Sequence, residues 1–148
     1  MITLRPAVAA DQKRIVAIIH QAHINPHDVQ WPNFVLAVDD ASGEIVGTAQ
    51  IKRHGDGSRE LASLAVVPQW QGRGLGRRLI EYWLDHTPGT LYLTCRSSLG
   101  GLYAKFGFRV VGESEMTPYF RRLVKVVKLL IQPLMPREEQ LLVMRRDG

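Results

Sequence analysis

The chain has 148 residues, 45% of them hydrophobic, with 19 Lys and Arg against 14 Asp and Glu, a formal net charge of +5. That size and apolar content match a single domain over residues 1–148 with a real core. One cysteine excludes an internal disulfide and a CxxC metal pattern. No apolar run approaches the roughly 18 residues of a membrane span, and Met1–Arg5 does not open a signal peptide, so a cytoplasmic location is expected.

In chain order, Ile2–Arg5 reads as a strand. Asp11 is placed to cap a helix running to about Ala22, with Ile15, Ile18, Ile19 and Ala22 on its apolar face. Pro26 and Pro32 break the next segment. Phe34–Asp39 and Glu44–Arg53 read as strands, and His54-Gly55-Asp56-Gly57 turns the chain into a third, Arg59–Val67. A glycine-rich loop follows, then a helix to about His86 that Pro88-Gly89 ends. Leu91–Cys95 is a strand, Leu99–Lys105 a short helix stopped by Gly107, and Phe108–Glu113 and Leu141–Arg145 are the closing strands.

The loop, Gln71-Gly72-Arg73-Gly74-Leu75-Gly76, is the most informative stretch. Glycines let the backbone turn sharply and approach a ligand. At the start of the following helix, N–H groups and the positive end of the helix dipole suit a pyrophosphate. Arg73, Arg77 and Arg78 add positive charge. A P-loop is excluded because no Lys-Ser or Lys-Thr completes it. A dinucleotide fingerprint needs G-x-G-x-x-G and an acid about twenty residues on. Here the glycines run G-x-G-x-G, and the next strand ends in Thr94-Cys95-Arg96.

The pattern that fits is [QR]-x-x-G-x-[GA], filled by Gln71, Gly74 and Gly76. Leu64-Ala65-Val66-Val67-Pro68 stands before it and Leu102-Tyr103-Ala104-Lys105-Phe106-Gly107-Phe108 after it. With these flanks the chain resembles the GNAT superfamily of acyl-CoA-dependent N-acetyltransferases over about residues 2–113 and the last strand. The resemblance implies a mixed α/β fold, a central sheet of six to seven strands flanked by helices. It implies acetyl-CoA as cosubstrate, its pantetheine arm along the backbone of Leu64, Ala65 and Val66. The pyrophosphate would lie on the loop and helix start, from Gln71 through Gly72, Arg73, Gly74, Leu75 and Gly76 to Arg77. Direct acetyl transfer to an amine in a ternary complex is implied as well.

Two proton-transfer residues follow from the resemblance. Glu60, four residues before Leu64, occupies the place where some family members carry a catalytic base. Tyr103, five residues before Phe108, has the spacing of the tyrosine that points at the CoA sulfur. Strict alternation would put Glu60, Ala62, Leu64 and Val66 on one face, unless the strand bulges as in relatives. The competing role for Glu60 is an exposed strand residue paired with Arg53 or Arg59. For Tyr103 it is a packing residue. Many relatives have an Asn where this chain has Ser97 and Ser98, which are expected to cap the short helix.

Cys95 shares parity with Leu91 and Leu93, so it reads as a buried apolar-face cysteine rather than an acyl-accepting nucleophile. His20, His23 and His27 are separated by Pro26 from helical continuity, and no metal site is expected. Residues 117–132 read as a basic amphipathic helix inserted before the last strand. Thr117 is its N-cap and Pro118 its first position, Phe120, Leu123, Val124, Val127, Ile131 and Leu134 form the apolar face, and Arg121, Arg122, Lys125 and Lys128 lie between. Its apolar face is expected to be buried in protein, against its own sheet or across a homodimer, and not inserted stably in a membrane. Tyr119 and Phe120 are the side chains expected to reach an acceptor. Aromatic-interleaved basic patches of single-strand binders are absent, so no nucleic-acid partner is expected. The rival reading is a non-catalytic acyl-CoA sensor or a basic adaptor module.

Overall fold

The computed structural model describes all of residues 1–148. Its strands are β1 (Ile2–Pro6), β2 (Phe34–Asp39), β3 (Ile45–Arg53), β4 (Arg59–Val66), β5 (Thr90–Arg96), β6 (Arg109–Val110) and β7 (Leu141–Asp147). Its α-helices are α1 (Gln12–Gln21), α2 (Leu75–His86), α3 (Gly100–Ala104) and α4 (Pro118–Val126). The sheet has seven strands ordered β1-β2-β3-β4-β5-β7-β6. The chain divides into two compact units, Met1–Lys52 with Leu61–Pro88, and Arg53–Glu60 with Gly89–Gly148. Strand β4 begins in the second unit and ends in the first.

In the first unit β1, β2 and β3 form an antiparallel meander, with Ile2 opposite Asp39 and Phe34 opposite Gln50. The unbroken apolar run Phe34-Val35-Leu36-Ala37 has a structural reason: both of its faces are covered. Phe34 and Leu36 pack with Ile15, Ile18 and Ile19 of α1, whereas Val35 and Ala37 pack with Leu75 and Leu79 of α2. A strand buried on both sides loses its polar alternation. Gly47 permits the approach of α2, since a Cβ there would stand 3.1 Å from Leu79 Cδ1 and 3.3 Å from Ala37 Cβ. Asp11 does not cap α1 as expected. Its carboxylate accepts the Val8 amide at 2.8 Å and two bonds from the Arg5 guanidinium at 2.8 and 3.1 Å, closing the preceding 3-10 turn.

In the second unit β5 and β7 pair antiparallel from Thr90 opposite Asp147 to Arg96 opposite Leu141. Strand β4 enters parallel to β5, with Glu60 in register with Tyr92. The strand expected over Phe108–Glu113 shortens to Arg109–Val110, because a 3-10 turn at Glu113–Glu115 takes over the chain. Val111 still donates its amide to the Val143 carbonyl at 3.0 Å.

Helix α4 lies on this unit's own core. Phe120 is fully buried with Tyr92, Val111, Met116 and Val143, and Leu123 and Val124 pack against the same cluster. Thr117 occupies the N-cap position but makes no side-chain capping bond. The cap comes from the turn before β4: Asp56 Oδ2 accepts the Tyr119 amide at 2.9 Å, while Oδ1 accepts the Ser58 amide and hydroxyl at 2.9 and 2.6 Å. Within the single chain only the first half of the apolar stripe is buried. After Val127 (7% exposed) the helix continues as a π-helical turn over Val127–Ile131, which spends more residues per turn than the 3.6 on which the spacing relied. Ile131 and Leu134 are therefore exposed at 47% and 85%, together with Leu129 and Leu130. Phe120 is also removed as an acceptor contact, since it has no exposed surface.

Burial pushes the Asp56 carboxyl up, but the bonds from the Ser58 hydroxyl and the Tyr119 and Ser58 amides outweigh it and hold the carboxyl well below the usual range. A group depressed in the folded state stabilises above its unfolded pKa, about 3.9, and loses that contribution as pH falls through the folded value. Asp56→Ala is expected to cost about 0.5–2 kcal/mol, the range for helix caps, in urea melts at pH 7. The gap to the unmutated protein should shrink below about pH 4. Leu123→Asp combined with Val127→Asp should unfold the protein, as followed by circular dichroism, because Leu123 packs on this core and Val127 is buried.

Candidate active site

The first unit presents the glycine loop. Gly74 is left-handed at φ 80° and is the N-cap of α2, and Gly72 is left-handed at φ 79°. A side chain at either position would be strained, and the space where its Cβ would stand is open. The amides of the first helical turn have no carbonyl one turn earlier to receive them. Gln71 fixes the entry to the loop, its Nε2 donating to the Val66 carbonyl at 2.9 Å. Leu75 is buried among Val35, Val46 and Leu79, so only its backbone is offered to a ligand. The arginines divide. Arg73 lies over the Trp70 ring, 4.5 Å from its centroid, Arg77 faces Glu81 at 3.8 Å, and Arg78 donates to the Ile2 carbonyl at 3.3 Å. Val66 to Gln71 also line one wall of a cavity of about 760 Å³, which Arg14, Ile18 and Val46 complete. Open space at two left-handed glycines before a helix N-terminus is compatible with a pyrophosphate held by backbone N–H groups.

Strand β4 does not alternate simply. Ser63 is left-handed at φ 56°, and the expected single face for Glu60, Ala62, Leu64 and Val66 is broken there. Leu64 and Val66 pack toward the α2 side and Ala65 toward the α1 side. Glu60 is buried beside an equally buried Leu61. The strain at Ser63 is held by two buried polar residues of β3. Thr48 Oγ1 donates to the Ser63 carbonyl at 2.9 Å, and Gln50 Nε2 donates to Ser63 Oγ at 2.7 Å.

The second unit contains both proton-transfer candidates. The Glu60 carboxylate meets neither Arg53 nor Arg59. Its Oε1 is 2.8 Å from His54 Nε2, and the two side chains are 8% and 6% exposed. The His54 ring stacks on Tyr119 at 3.5 Å between centroids and meets Phe120 edge-on at 5.7 Å. His54 carries no motif of its own. Position is the only signal that could have found it, since it lies across the His54-Gly55-Asp56-Gly57 turn from Glu60, where a hairpin brings its two arms together.

Tyr103 sits on α3, half-buried, with its ring edge-on to Phe108 at 6.4 Å. Burial pushes its hydroxyl up, with a smaller contribution from Cys95. Such a phenol keeps its proton through the neutral range. Cys95 is buried, its thiol pushed up by burial and 3.8 Å from Met144 Sδ, which is poor surroundings for a thiolate nucleophile. Ser97 does not cap α3. Its hydroxyl accepts the Gln140 amide at 3.0 Å and donates to the Glu138 carbonyl at 3.4 Å, tying the start of β7 to the end of β5.

Residues 30–110 match the family model described as an acetyltransferase (GNAT) domain, which is more than half of the chain. The chain belongs to the GNAT acetyltransferase family. N-alpha-acetyltransferase RimI of Mycobacterium tuberculosis is 31% identical over 129 residues, 75% of this chain and 80% of that protein. The fold is shared with N-acetylglutamate synthase from Neisseria gonorrhoeae, solved with coenzyme A and N-acetyl-glutamate, at TM-score 0.75 and 22% identity. That match covers 99% of this chain and 35% of the synthase, so this GNAT chain spans about a third of it. The ribosomal-protein-S18-alanine N-acetyltransferase from Escherichia coli shares the fold at TM-score 0.69 and 22% identity, covering 99% of this chain and 94% of that one. No helix of this GNAT protein is long and apolar enough to cross a membrane.

Gly74→Glu should remove coenzyme A binding, by placing a β-carbon in a left-handed position and a negative charge at the loop. Thermal-shift titration checks this. The unmutated protein at about 100 times its Kd should gain about 2.7 kcal/mol, and the variant should gain none.

Proposed function

We propose that residues 1–148 act as one N-acetyltransferase domain that moves an acetyl group from acetyl-CoA to an α-amine by direct attack. Two observations carry this reading: the buried Glu60 side chain of the second unit, and in the first unit a left-handed glycine loop that opens a helix. Acetyl-CoA supplies the activated acetyl thioester, held through the Leu64, Ala65 and Val66 backbone and the amides from Gly72 to Arg77. Glu60 takes a proton from the acceptor ammonium, which frees its nitrogen lone pair for attack. Tyr103, kept protonated by burial, gives its hydroxyl proton to the departing sulfur. Buried Cys95 has no part, so no acyl-enzyme is formed.

The choice of an α-amine is supported by the 31% identity to a protein named as an N-alpha-acetyltransferase. A free-thiol assay with acetyl-CoA tests it across three acceptor types: peptides with a free N-terminal amine, N-blocked peptides with a free lysine, and free amino acids. Turnover confined to N-blocked lysine peptides would reject the α-amine. A protein that binds coenzyme A and releases thiol with none of them would fit an acyl-CoA sensor instead.

With a competent acceptor, Tyr103→Phe and Glu60→Gln should each lower kcat by about 10²–10⁴. The acetyl-CoA Kd should stay nearly constant, because little contact area changes. Cys95→Ala should retain turnover.

A further inference from the structure

We propose that His54 is a positioning residue for the catalytic base, holding Glu60 Oε1 so that Oε2 alone is presented to the acceptor. This deepens the acetyltransferase reading and rests on Glu60 being the base.

A carboxylate that is 8% exposed has lost most of its water, and an ionised group so placed needs a donor to remain charged. The structure supplies that donor from the imidazole, 2.8 Å away and buried to the same degree. The imidazole is not free to turn. Tyr119 lies parallel to it, with 12° between the planes, and Phe120 meets it at 87°. Tyr119 is in turn fixed through its own amide to Asp56, in the same turn that carries His54. A ring clamped on a face and an edge aims Nε2 in one direction, and so selects one orientation of the carboxylate. A salt bridge to a surface arginine would not do this, since a long side chain in water holds its partner loosely.

The proton inventory assigns the roles. In this arrangement His54 bears a hydrogen on Nε2 and donates it to Oε1. The acceptor's ammonium N–H bond breaks, its proton forms a bond to Oε2, and the nitrogen keeps the electron pair with which it attacks. His54 exchanges no proton in this step. It keeps Oε1 occupied and Glu60 in place. The inserted helix α4 thereby acquires a place in the reaction through Tyr119 and His54.

Two measurements test this. Long-range ¹H–¹⁵N spectra of the histidine-labelled protein should show His54 as the Nε2–H tautomer, with an Nε2 proton that exchanges more rapidly in Glu60→Ala. An Nδ1–H tautomer, or no change in Glu60→Ala, would overturn the proposal without any need for turnover. In kinetics with acetyl-CoA and a peptide bearing a free N-terminal amine, His54→Phe should lower kcat by roughly tenfold to a hundredfold, less than loss of the base itself. The acetyl-CoA KM should not move. His54→Gln, which offers an N–H at a similar reach, should recover most of the rate, and adding His54→Phe to Glu60→Gln should cost little more than Glu60→Gln alone. Full activity in His54→Phe, equal losses in the Phe and Gln variants, or additive losses would each reject the positioning role. Full activity in Glu60→Gln is a separate failure, that of the base assignment.

Discussion

A left-handed serine in the middle of a strand governs much of this molecule. Ser63 has a β-carbon, and its backbone conformation costs an L-residue about 1–3 kcal/mol unless its surroundings impose it. Thr48 and Gln50, both without exposed surface, impose it from the neighbouring strand through the Ser63 carbonyl and hydroxyl. Gln50 also donates to the carbonyl of Asp28, a second left-handed residue, at 3.2 Å. Two polar residues in the interior of β3 thus set the course of β4. Apolar substitutes of similar size would fill the same space without fixing Ser63.

The course of β4 determines what each end of the strand presents. Before Ser63, Glu60 and Leu61 are both buried, and the Glu60 side chain meets the His54 imidazole. After Ser63, side chains alternate between the α1 and α2 cores, and the strand delivers its backbone to a loop in which left-handed glycines take the place of side chains. Burial raises the cost of an unpaired charge at one end, while missing β-carbons open the backbone at the other. Acid–base chemistry needs the first and a phosphate needs the second.

The segment between β6 and β7 shows how local sequence and long-range contacts share control. Its first two turns follow the helical stripe onto Tyr92 and Val143. Its cap is borrowed from Asp56, 63 residues earlier. Beyond Val126 the π-helical turn leaves Leu129 and Leu130 at the surface, and Leu134 is exposed in the 3-10 turn that follows, on a segment that also carries Lys125 and Lys128. The start of the helix is anchored twice, by the Asp56 cap on the Tyr119 amide and by Phe120 in the core.

The sequence by itself determined the element order and the glycine loop, through glycines at fixed offsets and apolar periodicity. Its motifs also pointed to the family, and the resemblance in turn named Glu60 and Tyr103 as proton-transfer candidates. Most strand and helix bounds follow from the same periodicity, and the strand expected over Phe108–Glu113 was cut back to Arg109–Val110, with a 3-10 turn at Glu113–Glu115. Tertiary structure alone decided the rest. It set the partner of Glu60, the cap of α4, the role of Ser97 and the end of the apolar stripe at Val127. The cap of α4 and the bonds of Ser97 join residues far apart in the chain, and the end of the stripe depends on how a helix is wound; the Glu60–His54 pair is only six residues apart, but its burial is set by the elements packed around it. His54 shows the limit most directly: only burial, which excludes water from Glu60, turns an ordinary turn histidine into the donor that the carboxylate requires.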